Sequence, residues 1–140
     1  MATYGSSDVT VKVQHRRYIA GGRGQYMTAG YIEFGDGSLT YATGGVPLPA
    51  ATAFGFGQTI TWMDVNGPEY VATTWPGGTT AVPTVAPTAG FYKANYLNAI
   101  NKLQLNYVPA LGTTAALALT ELAASAAPTL SAYRFIAFGH

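Results

Sequence analysis

The chain has 140 residues and a net charge of +1, with 9% charged and 49% hydrophobic residues. That is one domain with a core of ordinary size. The apolar content excludes a disordered chain, and the weak charge excludes a global field that gathers nucleic acid or anionic membrane. Cysteine is absent, which removes disulfides, thiolate metal sites and cysteine nucleophiles.

Residues 1–7 are small and polar and predict a flexible N-terminal arm ahead of a single β-rich domain over 8–140. Their composition does not resemble a signal peptide. Val9, Val11 and Val13 alternate with Thr10, Lys12 and Gln14, the period of a half-buried strand. Gly21, Gly22 and Gly24 break it, and a second strand is expected over Tyr26–Phe34. Gly35 to Ser38 predicts a turn and Leu39 to Tyr41 a short strand. Thr43 to Pro49 reads as a loop, because two prolines exclude a central strand. The second half of Phe54–Val65 predicts a strand. Asn66-Gly67-Pro68 reads as a turn and Glu69 to Trp75 as the returning arm of a hairpin.

Pro76 to Gly90, rich in proline, glycine and threonine, predicts an extended loop. Phe91–Leu97 and Leu103–Val108 predict a strand pair around Asn98–Asn101. Ala115 to Ala127 is the one helix candidate, with Thr114 as its cap and Pro128 after its end. Ser131 to Phe138 has apolar residues on both faces and predicts a central, doubly covered strand. Leu103–Thr120 contains Gln104, Asn106, Pro109 and Gly112 and does not make a membrane helix. The expected fold is mainly all-β. It is a compact β-sandwich or barrel of short antiparallel strands, with long Gly/Pro/Thr loops and at most one short helix.

The chemistry-bearing residues are few. A metal site needs three or four converging ligands, and the histidines are only His15 and His140. No Gly-x-Ser-x-Gly elbow occurs, and the glycines at 21, 22 and 24 lack the Gly-Lys-Ser/Thr of a phosphate loop. Asp64 and Glu69 flank the Asn66-Gly67 turn, where solvating a hairpin end explains them better than a glycosidase pair does. Glu33 and Asp36 read in the same way. No catalytic residue, cofactor or metal is therefore expected, and the protein reads as a non-enzyme.

Positive charge gathers early. Lys12, Arg16, Arg17 and Arg23 face only Asp8 among the first 24 residues. This marks His15, Arg16, Arg17, Tyr18 and Arg23 as a candidate partner interface, better suited to a protein than to nucleic acid. Arg16 and Arg17 point to opposite faces if their strand is regular. The core has room for Trp62, Trp75 and the phenylalanines but not for every one of the ten tyrosines, so some exposed aromatic contact surface is expected.

The run Asp36-Gly37-Ser38-Leu39-Thr40-Tyr41-Ala42-Thr43-Gly44-Gly45-Val46-Pro47-Leu48 resembles a segment of small virion proteins of tailed bacteriophages, in which a strand ends in Thr-Tyr-x-Thr-Gly-Gly-Val-x-Leu. Asn101-Lys102-Leu103-Gln104-Leu105 is similar to a strand of theirs, as are Thr120-Glu121-Leu122-Ala123 and the ending Tyr133-Arg134-Phe135-Ile136-Ala137-Phe138-Gly139. The resemblance spans roughly residues 26 to 139 with gaps, and its motifs are structural. It implies a decoration, or cement, protein on the capsid exterior, present in the host cytoplasm during assembly. The implied partners are the major capsid protein and further copies of the chain, as a homotrimer or homodimer. A tail or fibre-base component, or a surface carbohydrate-binding module, is the alternative. The loop at Pro76–Gly90 and the basic N-terminal stretch depart from the family pattern.

Overall fold

The computed structural model describes residues 2–19, 24–35, 38–69, 92–107, 120–121 and 131–140. The fold is all-β, as expected, with two antiparallel sheets and only short 3-10 turns among the described residues. The strands are β1 (Thr10–Tyr18), β2 (Tyr26–Phe34), β3 (Val46–Pro47), β4 (Ile60–Glu69), β5 (Tyr92–Leu97), β6 (Lys102–Tyr107), β7 (Thr120–Glu121) and β8 (Ser131–Gly139). The first sheet runs β1-β2-β8-β4. In the second, β6 pairs with β5 along its length and with the two short strands β3 and β7.

Both sheets contribute to one core. The first supplies Ile32, Phe34, Met63, Val65, Tyr133, Phe135 and Ala137, and the second Val46, Ala94, Leu103 and Leu105. Along β8 the buried residues follow the two-residue period of a strand that faces a core on one side. Phe34 and Tyr133 stack with their centroids 5.2 Å apart, and Phe54 meets Phe135 edge-on at the same distance. Phe54 enters from a 3-10 turn over Ala51–Phe54, which Gly55 ends in the left-handed conformation.

Several expectations are corrected. Residues 2–7 are not a free arm: Thr3 bridges Thr40, the Tyr4 amide donates to the Thr40 carbonyl at 3.2 Å, and the Tyr4 ring is buried edge-on against Phe34. An aromatic ring beside a core outweighs the polarity of its neighbours. Between Leu39 and Tyr41 only the bridge at Thr40 forms. Val46–Pro47 is a strand after all, because it lies at the margin of its sheet, where a missing N–H is tolerated.

Asn66-Gly67-Pro68 does not reverse the chain. β4 continues through it to pair Glu69 with Ala132, and the irregularity is absorbed as a register shift. The returning strand beyond residue 69 falls outside the described residues, as does the loop at 76–90. Of the helix expected over Ala115–Ala127, only Thr120 and Glu121 are described, and they form β7 against β6. A cross-strand partner and an anchored carboxylate override helix propensity there. Phe91–Leu97 and Leu103–Val108 match β5 and β6 to within a residue at most ends, joined by a 3-10 turn at Asn98–Ile100. β8 is central as expected, but its outer face is only partly covered: Ala132 is buried and Phe138 half-buried, while Arg134 and Ile136 are exposed.

Candidate functional site

Among the described residues β1 is an edge strand. Eight of its nine residues are exposed and Val11 is half-buried. Its pairing with β2 slips between Val13 and His15, which inserts Gln14 as a bulge. Gly30 stands opposite: a Cβ there would collide with the Lys12 carbonyl oxygen, so the close passage of β1 requires glycine.

The bulge reorders which residues share a face. Register places Arg16 opposite the buried Thr28 and Tyr18 opposite Tyr26. The Arg16 guanidinium lies 4.1 Å from the centre of the Tyr26 ring, and Tyr18 meets that ring edge-on at 5.4 Å. This cation–aromatic cluster closes the end of β1 on the core side. His15 and Arg17 lie on the other face, opposite Ala29 and Met27. Arg23 lies outside the described residues. The five interface residues expected from charge therefore separate into Arg16 with Tyr18, His15 with Arg17, and Arg23 unplaced.

The outer face of the first sheet is a ladder of cross-strand rows. From β1 to β4 the first row is Arg17, Met27, Phe138 and Trp62. The second is His15, Ala29, Ile136 and Asp64, and the third Lys12, Tyr31, Arg134 and Asn66. Trp62 is 51% exposed and Ile136 47%, although both are large and apolar. Trp62 leans on Phe138 at 5.5 Å.

Beside these rows lies an open trough of about 590 Å³, reaching from Gln14 across Ala29, Gly30 and Tyr31 to Arg134 and Asn66. Arg134 donates from Nε to the Tyr31 hydroxyl at 3.2 Å, and Lys12 pairs with Glu33 at 2.8 Å. Asp64 accepts from the Asn66 side-chain amide at 3.2 Å. The charged groups of this face are Arg17 and the Lys12–Glu33 pair on the β1 and β2 side, Arg134 on β8 and Asp64 on β4.

The segment around Thr40-Tyr41-Ala42-Thr43-Gly44-Gly45 has a different job. Tyr41 is fully buried. Its hydroxyl donates to Glu121 Oε1 at 2.9 Å and accepts from the Leu105 amide at 3.2 Å. The Gly44 amide donates to the same carboxylate oxygen at 2.6 Å. Gly44 and Gly45 have φ of 88° and 111°, and a Cβ on Gly45 would press on Leu103. Burial pushes the Tyr41 hydroxyl well above its ordinary pKa. Burial would also raise Glu121, but hydrogen bonds from Gly44, Tyr41 and Gln104 outweigh it and hold the carboxyl below its ordinary value. This motif pins a loop to the second sheet.

Among the described residues no three histidines, aspartates or glutamates gather as metal ligands. Among the same residues, no helix is long and apolar enough to cross a membrane. No family model matches the chain, and no curated protein or solved structure matches it. The outer-face ladder was missed from sequence, although the apolar residues on both sides of 131–138 were its signal. Trp62 and Met27 became part of it only through strand order.

Proposed function

We propose that this protein is a structural virion component of a tailed bacteriophage. It acts as a decoration or cement protein that binds the outside of the expanded capsid and ties capsomers together across their seams. The observation that best supports this reading is β1, a nine-residue strand at a sheet margin among the described residues, exposed at every position but Val11 and bearing Lys12, His15, Arg16 and Arg17. An edge strand offers backbone donors and acceptors to a strand of another chain, and flanking cations add orientation. Resemblance of the Thr40–Leu48 run to small virion proteins supplies the identity of the partner, the major capsid protein.

The role needs adhesion and no reaction. Many copies, each with a modest interface, resist the internal pressure that separates capsomers. A weakly charged surface suits it, because little charge must lose its water on contact.

The test is the copy number of the chain in purified particles, measured by quantitative mass spectrometry against the major shell protein. A simple ratio to the shell protein is expected. A handful of copies per particle would move the chain to the tail or fibre base, and absence would end the virion reading. Arg16→Glu with Tyr18→Ala, both at exposed positions, should weaken co-sedimentation with shells that lack the protein. Unchanged binding by the folded variant would remove this end of β1 from the contact.

A further inference from the structure

We propose that two copies of this chain pair through the outer face of the β1-β2-β8-β4 sheet, about a two-fold axis parallel to the strands and passing between β2 and β8. The pairing stands independently of the virion reading. Its first ground is exposure: Trp62, Phe138, Ile136 and Met27 lie side by side on an outer face that is open at Trp62 and Ile136. Adjoining apolar side chains of this kind on a sheet face mark a contact surface.

Its second ground is the order within the rows. Rotation about that axis lays β1 of one copy over β4 of the other and β2 over β8, row upon row. Arg17 then faces Trp62 of the second copy, a cation on an aromatic face. Met27 faces Phe138, and His15 faces Asp64. Ile136, the projecting aliphatic residue, faces Ala29 at the shallow trough, and its counterpart does the same in return.

The other in-plane two-fold, perpendicular to the strands, would stack β1 on β1 and set Arg17 against the β1 margin of the second copy, away from Trp62. With Lys12 already paired to Glu33, it is the aromatic partner for Arg17 that selects the parallel axis. Face-to-face sheets settle about 10 Å apart with strands near −30°, a span that Trp62 and Arg17 can bridge at the margins.

Four strands about 4.8 Å apart, each spanning roughly seven residues, hide on the order of 1,000 Å² over both copies, the lower end of specific interfaces. The dimer has a strength that area alone does not set. It would carry its two β1 strands at opposite margins, facing away from each other. On the virion reading, that arrangement grips two capsomers at once.

Sedimentation velocity on the purified full chain, over a concentration series through the micromolar range, tests the pairing without any shell. A monomer–dimer equilibrium is expected. Ile136→Lys, which sets two ammonium groups beside the axis, should leave a folded monomer throughout.

The decisive variants exchange charge. His15→Glu opposes Asp64 of the second copy and should weaken dimerisation by about tenfold or more, a change of at least 1.4 kcal/mol. Adding Asp64→Lys should restore it. The two positions are separated by two intervening strands within one chain and meet only across the axis. A monomer at every concentration, a trimer, a dimer indifferent to Ile136→Lys, or failure of the double exchange to restore pairing would each overturn the proposal. Circular dichroism of every variant confirms that the sheet is intact.

Discussion

Phe135 and Ile136 are consecutive on β8, between the same two neighbouring strands, yet they occupy different surroundings. Phe135 is 2% exposed and meets Phe54 edge-on, while Ile136 stands in the open beside Asp64 and Ala29. The inner face of the sheet is made by apolar residues that the second sheet covers. The outer face buries Tyr31 and Ala132 as well, but at Trp62 and Ile136 it carries large apolar residues that stand about half exposed. The lesson is that hydrophobicity alone does not say which face is core. A strand apolar on both sides is either buried in its own domain or completed by a neighbour.

The sharpest way to break the comparison is to truncate each residue in turn. Phe135→Ala should cost roughly 3–5 kcal/mol, because a large ring leaves a cavity among rigid neighbours. Ile136→Ala should stay within about 0.5 kcal/mol at concentrations that keep the chain monomeric. Urea denaturation followed by tryptophan fluorescence measures both, and equal losses would mean that the outer face is covered within one chain. Next in size is Gly30→Ala, whose methyl group meets the Lys12 carbonyl. The expected loss is about 1–3 kcal/mol, as for other overpacked sites. Faster hydrogen exchange at the β1 amides should show that the strand is displaced rather than the core.

Much of the fold was legible because its strands follow simple patterns. Leu103 and Leu105 alternate with Gln104 and Asn106, and β6 forms there with its apolar side inward. The positions that misled are those where a partner decides. Asn66-Gly67 is as good a bulge as a turn, and only the continuation of β8 to Ala132 selects the bulge. Tyr4 looks like part of a polar arm until Phe34 is brought beside it. Thr120-Glu121 sits in a helix-forming run, yet Tyr41, far away in sequence, holds the carboxylate. The charge excess near residues 12–23 did find an exposed strand. Strand alternation also foretold that Arg16 and Arg17 take opposite faces, but not the apolar row that Arg17 joins, because rows depend on strand order and register.

The Tyr41–Glu121 anchor allows a subtler comparison, between a pinned loop and the open sheet face. Glu121→Gln keeps an acceptor but loses its charge, so a loss of about 1 kcal/mol is expected at neutral pH. The sign with pH follows from the depressed carboxyl. Its contribution is complete above the unfolded value near 4.5 and is lost as pH falls through the lower folded value. Wild-type stability should therefore fall more steeply than that of Glu121→Gln below about pH 4.5. Parallel curves would show that the charge on Glu121 does not contribute to the anchor.

The smallest effect belongs to the ion pair on the open face. Lys12 and Glu33 approach to 2.8 Å, but the lysine side chain is 43% exposed. Water and salt screen such a pair, and two long side chains lose freedom in forming it. Lys12→Ala should change monomer stability by less than about 0.5 kcal/mol. Its effect on pairing separates the two roles of this margin, because the parallel two-fold sets Lys12 against Asn66 of the second copy, a neutral partner. Sedimentation of Lys12→Ala should thus give a dimer of nearly wild-type strength where His15→Glu does not. If losing Lys12 strengthens pairing instead, the β1 margins of the two copies lie against each other and the axis runs across the strands.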